Sequence, residues 1–165
     1  MPNWCQNYLE LSHEDATQMQ RAADAILQNK LLQEFVPIEH EENWYDWCVN
    51  NWGTKWDIDV HETSLNLSDD KKSLTVAFDT AWSPPLAAME RMLDQGFNVR
   101  LMYSEEGVGF TGVFDNGCDD CYDTCDMTAA QLREELPAEL DDMFGLSDSQ
   151  QNYEDEEGEE TDEND

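Results

Sequence analysis

The sequence predicts an α+β sandwich, on three observations. Alternating apolar runs recur at about residues 5–12, 56–68, 74–78, 97–103 and 108–114. Two amphipathic helical stretches separate them, and six Trp, six Phe and five Tyr supply the bulk of a core. With 165 residues the chain suits one domain and is too short for two well-cored ones.

Leu9 and Leu11 alternate with Tyr8 and Glu10, which gives a first strand. Ser12 and Asp15 have capping-box spacing, and Ala16, Met19, Ala23 and Ile26 then share one face of a helix running to about Asn29. Pro37 breaks the chain before a Trp-rich insert, where Trp44, Trp47 and Cys48 fall at helical spacing and Trp52-Gly53 closes the segment. Trp56, Ile58, Val60, Leu65 and Leu67 read as one long or bulged strand. The turn Asp69-Asp70-Lys71-Lys72 joins it to the alternation of Leu74, Val76 and Phe78. Ser83-Pro84-Pro85 opens a second helix with Ser83 as N-cap, Met89, Met92 and Leu93 form its buried stripe, and Gly96 fits its C′ position. Two further strands follow, Phe97 to Tyr103 and Val108 to Phe114, joined at Glu105-Glu106-Gly107. Thr128 and Gln131 then cap a short helix that Pro137 interrupts before Leu140, Met143 and Phe144. The order β-α-insert-β-β-α-β-β is that of a ferredoxin-like split βαβ sandwich. The expected division is a ferredoxin-like domain over 1–115, a Cys/Asp-rich loop and helical extension over 116–146, and a disordered acidic tail over 147–165.

Charge bounds the function. The chain has 39 Asp and Glu against 8 Lys and Arg, a formal charge of −31. Residues 1–115 contribute −13 and residues 116–165 contribute −18, with Arg133 the sole base of the second part. Direct nucleic-acid binding is excluded as an expectation, because phosphates are bound by Lys and Arg that displace counterions. Attraction to an anionic membrane is disfavoured for the same reason. The opening residues have neither a positive n-region nor an apolar h-region, so no secretory signal is expected, and five cysteines, an odd number, point to reduced thiols in a cytoplasm.

Three motifs carry a resemblance. Met1-Pro2-Asn3-Trp4-Cys5-Gln6-Asn7, Asn51-Trp52-Gly53-Thr54-Lys55-Trp56-Asp57 and Thr80-Ala81-Trp82-Ser83-Pro84-Pro85 occur in this order. Over about residues 1–115 the chain resembles the YubB-like ferredoxin-fold family of conjugative plasmids and bacteriophages, a family without an assigned activity. The resemblance implies a bacterial mobile-element origin and the same fold. It leaves the acidic extension after Asp115 outside the pattern.

Candidate sites follow from residue chemistry. Asn3, Trp4, Asn7, Trp52, Lys55, Trp56, Asp57 and Trp82 are the set for a Trp-lined ligand or nucleotide pocket; equally, these rings cap one end of the core. Cys118, Cys121 and Cys125 have the first spacing of a zinc knuckle but lack a local fourth ligand, so no cofactor is expected beyond a structural zinc. His13, His40 and His61 fall in separate segments without a nucleophile motif, so an enzyme is not expected. The acids Asp119, Asp120, Asp123, Asp126, Glu134, Glu135, Asp141 and Asp142 are the candidate partner-binding set. A charge this large exceeds what solubility requires, roughly 2–8 for a small domain. The expectation is a non-enzymatic accessory protein of the bacterial cytoplasm. Its acidic surface would inhibit a host or defence protein by occupying a basic nucleic-acid site as a DNA or RNA mimic.

Overall fold

A computed structural model describes residues 3–39 and 42–163. The chain runs β1 (Trp4–Ser12), α1 (Ala16–Leu27), α2 (Leu31–Phe35), α3 (Trp44–Asn51), β2 (Asp59–Val60), β3 (Asn66–Leu67), β4 (Ser73–Ala81), α4 (Leu86–Asp94) and β5 (Asn98–Glu105). β6 (Phe110–Asp115), β7 (Cys118–Asp123), α5 (Ala129–Glu135), α6 (Ala138–Phe144) and α7 (Leu146–Glu163) complete it. Among the described residues one antiparallel sheet has the order β2-β4-β1-β5-β6-β7, with β3 also on β4. β4 separates β1 from the parallel β2 and β3, which is the split βαβ arrangement expected from the sequence.

The alternation of β1 decides which face is inner. Cys5, Leu9 and Leu11 are buried beside Leu74, Val76 and Phe78 of β4 and Val99, Leu101 and Tyr103 of β5. Met19, Ala22, Ala23 and Ile26 of α1 and Ala88, Met89 and Met92 of α4 close over them. Each fully buried aliphatic side chain of this kind contributes about 1.5–3 kcal/mol.

Several local expectations need correction. Asp15, rather than Ser12, is the N-cap of α1, its carboxylate accepting from the Thr17 N–H at 2.9 Å. The long strand over 56–68 is reduced to β2 and β3, because the Ser64 hydroxyl takes the Ala77 N–H at 3.0 Å where a backbone carbonyl would sit. Ser83 does not cap α4; its hydroxyl donates to the Gly53 carbonyl, and Pro85 occupies the N-cap position. α2, too short to show a period, was not anticipated; the Asp57 carboxylate starts it by accepting from Leu32 and Gln33 N–H, each at 2.9 Å.

The C-terminal third differs most. The Cys/Asp-rich segment is not a loop but the edge strand β7, and the expected disordered tail is the helix α7 through Glu163. Glu and Gln are good helix formers, Gln150 and Gln151 bond Glu154 and Asp155 one turn on, and Leu146 packs with Leu132 and Leu136 of the α5 region. Thr128 and Gln131 make the capping box read from the sequence. Arg100 on the outer face of β5 fastens α6 through Glu139, with Glu10 beside it at 3.3 Å. Its guanidinium holds the Glu139 carboxyl below the usual carboxylate range. The α5–α7 layer thus covers the outer face next to β6, where Met102 and Leu140 are buried.

Candidate functional site

The three sequence motifs meet at one end of the sheet. Trp4 pairs with Ala81 across β1 and β4, and the Trp82 N–H donates to the Asn3 carbonyl at 2.8 Å. Thr54 donates to the Ala81 carbonyl at 2.8 Å, and the Ala88 N–H donates to the Trp52 carbonyl at 3.2 Å. Thr80 links the set, accepting from the Asn7 amide at 2.9 Å and donating to the Ser83 carbonyl at 2.7 Å. Gly53, at φ +90°, lies where a Cβ would press against the backbone of Pro84 and Leu86. The motifs are therefore first a seam of hydrogen bonds between β1, β4 and the segment before β2.

That seam divides the eight residues expected to bind a ligand. Asn7 and Trp52 are buried, the Trp52 indole N–H donating to the Val36 carbonyl at 2.8 Å and the Asn7 amide to the Cys5 carbonyl at 3.0 Å as well as to Thr80. Asp57 is spent on α2 and on the Ile58 N–H. Burial raises its pKa, partly offset by those three N–H donors. The others lie at the surface end. Trp4 and Trp56 are 41% and 39% exposed with ring centroids 6.3 Å apart, and Trp82 is 45% exposed. The Lys55 ammonium sits 4.4 Å from the Trp56 centroid and 5.1 Å from that of Tyr45, whose ring meets Trp44 at 6.0 Å. Trp44, Lys55 and their neighbours thus form an open strip of rings, whereas cavities of about 520, 600 and 420 Å³ lie elsewhere. Trp82 stands at φ +70°, a left-handed conformation that costs a non-glycine residue about 1–3 kcal/mol. Trp44, read at helical spacing with Trp47 and Cys48, is exposed together with Tyr45, which the sequence did not single out, because α3 keeps Trp47 and Cys48 inward.

The cysteine cluster does not assemble. Three residues apart on β7, Cys118 and Cys121 point to opposite faces, and Cys125 lies beyond the strand. Among the described residues no three His, Cys, Asp or Glu side chains come together in an arrangement that could hold a metal ion. Cys121 instead neighbours the Tyr103 hydroxyl, which donates to Asp119 at 2.6 Å over Gly112. The nearby charges of Asp126 and Asp123 hold the Cys125 thiol up, while burial pushes that of Cys5 to about 12. Of the described histidines, His13 packs edge-on against Phe97 and His61 lies 3.1 Å from Asp79; His40 is outside the described residues.

The eight acids also divide. Asp119 receives the Tyr103 hydroxyl, Asp123 the Cys125 N–H, and Asp141 both the Ser147 N–H and hydroxyl. Asp120, Asp126, Glu134, Glu135 and Asp142 are exposed. The larger charge lies on α7, missed as a site because it was read as a disordered chain. From Glu154 to Glu159 five of six residues are acidic. At 1.5 Å per helical residue that is one charge per about 2 Å, close to the roughly 1.7 Å of duplex DNA. Glu154 fixes the helix, accepting the Ala129 N–H at the start of α5 at 2.9 Å, and Arg133 reaches Gln151 and Asp148.

Residues 51–163 match the family described as the ferredoxin-like domain in Api92-like protein. The chain belongs to this family. The match covers more than half of the chain and runs through α7, so the acidic layer lies within the family's domain and is not an addition outside it. Comparison with curated proteins and with solved structures returns no match. Among the described residues no helix is long and apolar enough to cross a membrane.

Proposed function

We propose that this protein is a non-enzymatic binding protein whose acidic C-terminal layer occupies the basic nucleic-acid site of a partner protein. One observation carries the reading: the Glu154–Glu159 stretch of α7 holds five acids on a helical backbone at nearly the linear charge density of duplex DNA. The same residues as an extended chain would space their charges about twice as far apart. Asp120, Asp126, Glu134, Glu135 and Asp142 add exposed charge on β7, the turn after it, α5 and α6. A potential of this sign steers a basic partner into encounter and makes binding weaken with salt. The resemblance of the three motifs supports placing the gene on a bacterial plasmid or phage, with a host or defence protein of the cytoplasm as target.

Displacement of labelled duplex DNA from a panel of bacterial nucleases, restriction enzymes and repair proteins tests this. The expected result is displacement from at least one of them, steeply salt-dependent, and weakened about ten-fold when residues 155–165 are removed. That truncation keeps Glu154 and its contact with α5. Absence of displacement from every member at low salt overturns the reading.

A further inference from the structure

We infer that the strip Trp4–Trp56–Tyr45–Trp44 is a docking platform for arginine side chains of a basic partner segment, and that Lys55 occupies part of it in the free protein. The inference rests on the reading of the partner as basic and adds a second contact surface, remote in sequence from α7.

The occupant is indicated by what already lies there. The Lys55 ammonium is within 4.4 and 5.1 Å of two ring centroids, so the chain itself places a cation against these π faces. Trp4, at 6.3 Å from Trp56, and Trp44, at 6.0 Å from Tyr45, extend the strip on either side, and each is more than a third exposed. Asp46 is exposed on α3 next to Trp44 and Tyr45. The net charge of −31 repels a phosphate-bearing ligand and attracts a cationic one. A guanidinium is planar and weakly hydrated, so it stacks on indole more readily than an ammonium does. Arginine from outside thus competes with Lys55 on favourable terms.

The test uses the full chain and two probes of equal charge, an arginine–glycine repeat peptide and a lysine–glycine repeat peptide, read by tryptophan emission and calorimetry at fixed salt. The arginine peptide binds roughly ten-fold tighter. Trp44→Ala and Trp4→Ala each remove most of that preference; Trp44, on the outer side of α3, serves if Trp4→Ala lowers the unfolding midpoint. Lys55→Ala, which empties the strip, tightens arginine binding about three-fold beyond the charge-matched control Lys72→Ala. Equal affinity for both peptides, tryptophan variants that keep the preference, or a stronger response to a nucleotide overturns the platform. If the platform fails while DNA displacement by the acidic layer persists, that earlier reading stands alone. If the preference holds and no displacement is seen, the mimicry reading falls instead.

Discussion

The helices on the inner face of the sheet bury Met19, Ile26, Met89 and Met92 in a cluster that reaches across β1, β4 and β5. Those on the outer face bury a short set, Leu132, Leu136 and Leu146, with Leu140 on α6. The outer layer is held as much by polar fastenings: Arg100 to Glu139, Glu154 to the Ala129 N–H, Asp141 to Ser147. One sheet thus supports an apolar layer that gives stability and an acidic layer that presents charge. The second can be highly charged because the first contributes most of the folding energy.

Single substitutions separate the two layers. Trp52→Ala removes a buried ring and orphans the Val36 carbonyl, and should cost about 3–5 kcal/mol in urea unfolding. Leu140→Ala should cost about 2–4 kcal/mol. Hydrogen exchange locates that cost: faster exchange confined to α5–α7 marks the layers as separate cooperative units, whereas uniform acceleration makes them one. Arg100→Met should cost about 1 kcal/mol at neutral pH, because its partners are half exposed. The acid side supplies the sign. Arg100 lowers the folded pKa of Glu139, so this contribution is complete above the ordinary carboxyl value, about 4.5, and fades as pH falls through the depressed one. The stability gap between wild type and Arg100→Met should narrow over that window. Trp56→Ala, on a ring 39% exposed, should cost less than about 1 kcal/mol and leave unfolding nearly unchanged.

Much of the sandwich was legible because its strands alternate and its two main helices carry clear apolar stripes. Leu9 with Leu11, and Met89 with Met92, need no partner to show which way they face. The seam at the motif end was not legible, since Thr54, Thr80 and Ser83 reveal their bonds after the sheet has brought them together. The fate of the tryptophans was open for a related reason: burial of Trp52 and exposure of Trp56 depend on which backbone end α3 and α4 cover. α7 was misread because a run of like charge repels itself in isolation, and the contacts that restrain it, Glu154 on α5 and Leu146 on Leu132 and Leu136, are tertiary.

β7 closes the sheet at its edge, and its outward backbone groups are a template to which another chain could hydrogen-bond. Asp119, Asp120 and Asp123 line that strand, so at neutral pH a second copy approaching edge to edge meets its own charge. Charge on the strand thus opposes growth of the sheet beyond one molecule. That guard is removable. Asp119→Asn, Asp120→Asn and Asp123→Asn together remove that repulsion, and light scattering of the triple variant beside wild type would register edge-to-edge self-assembly.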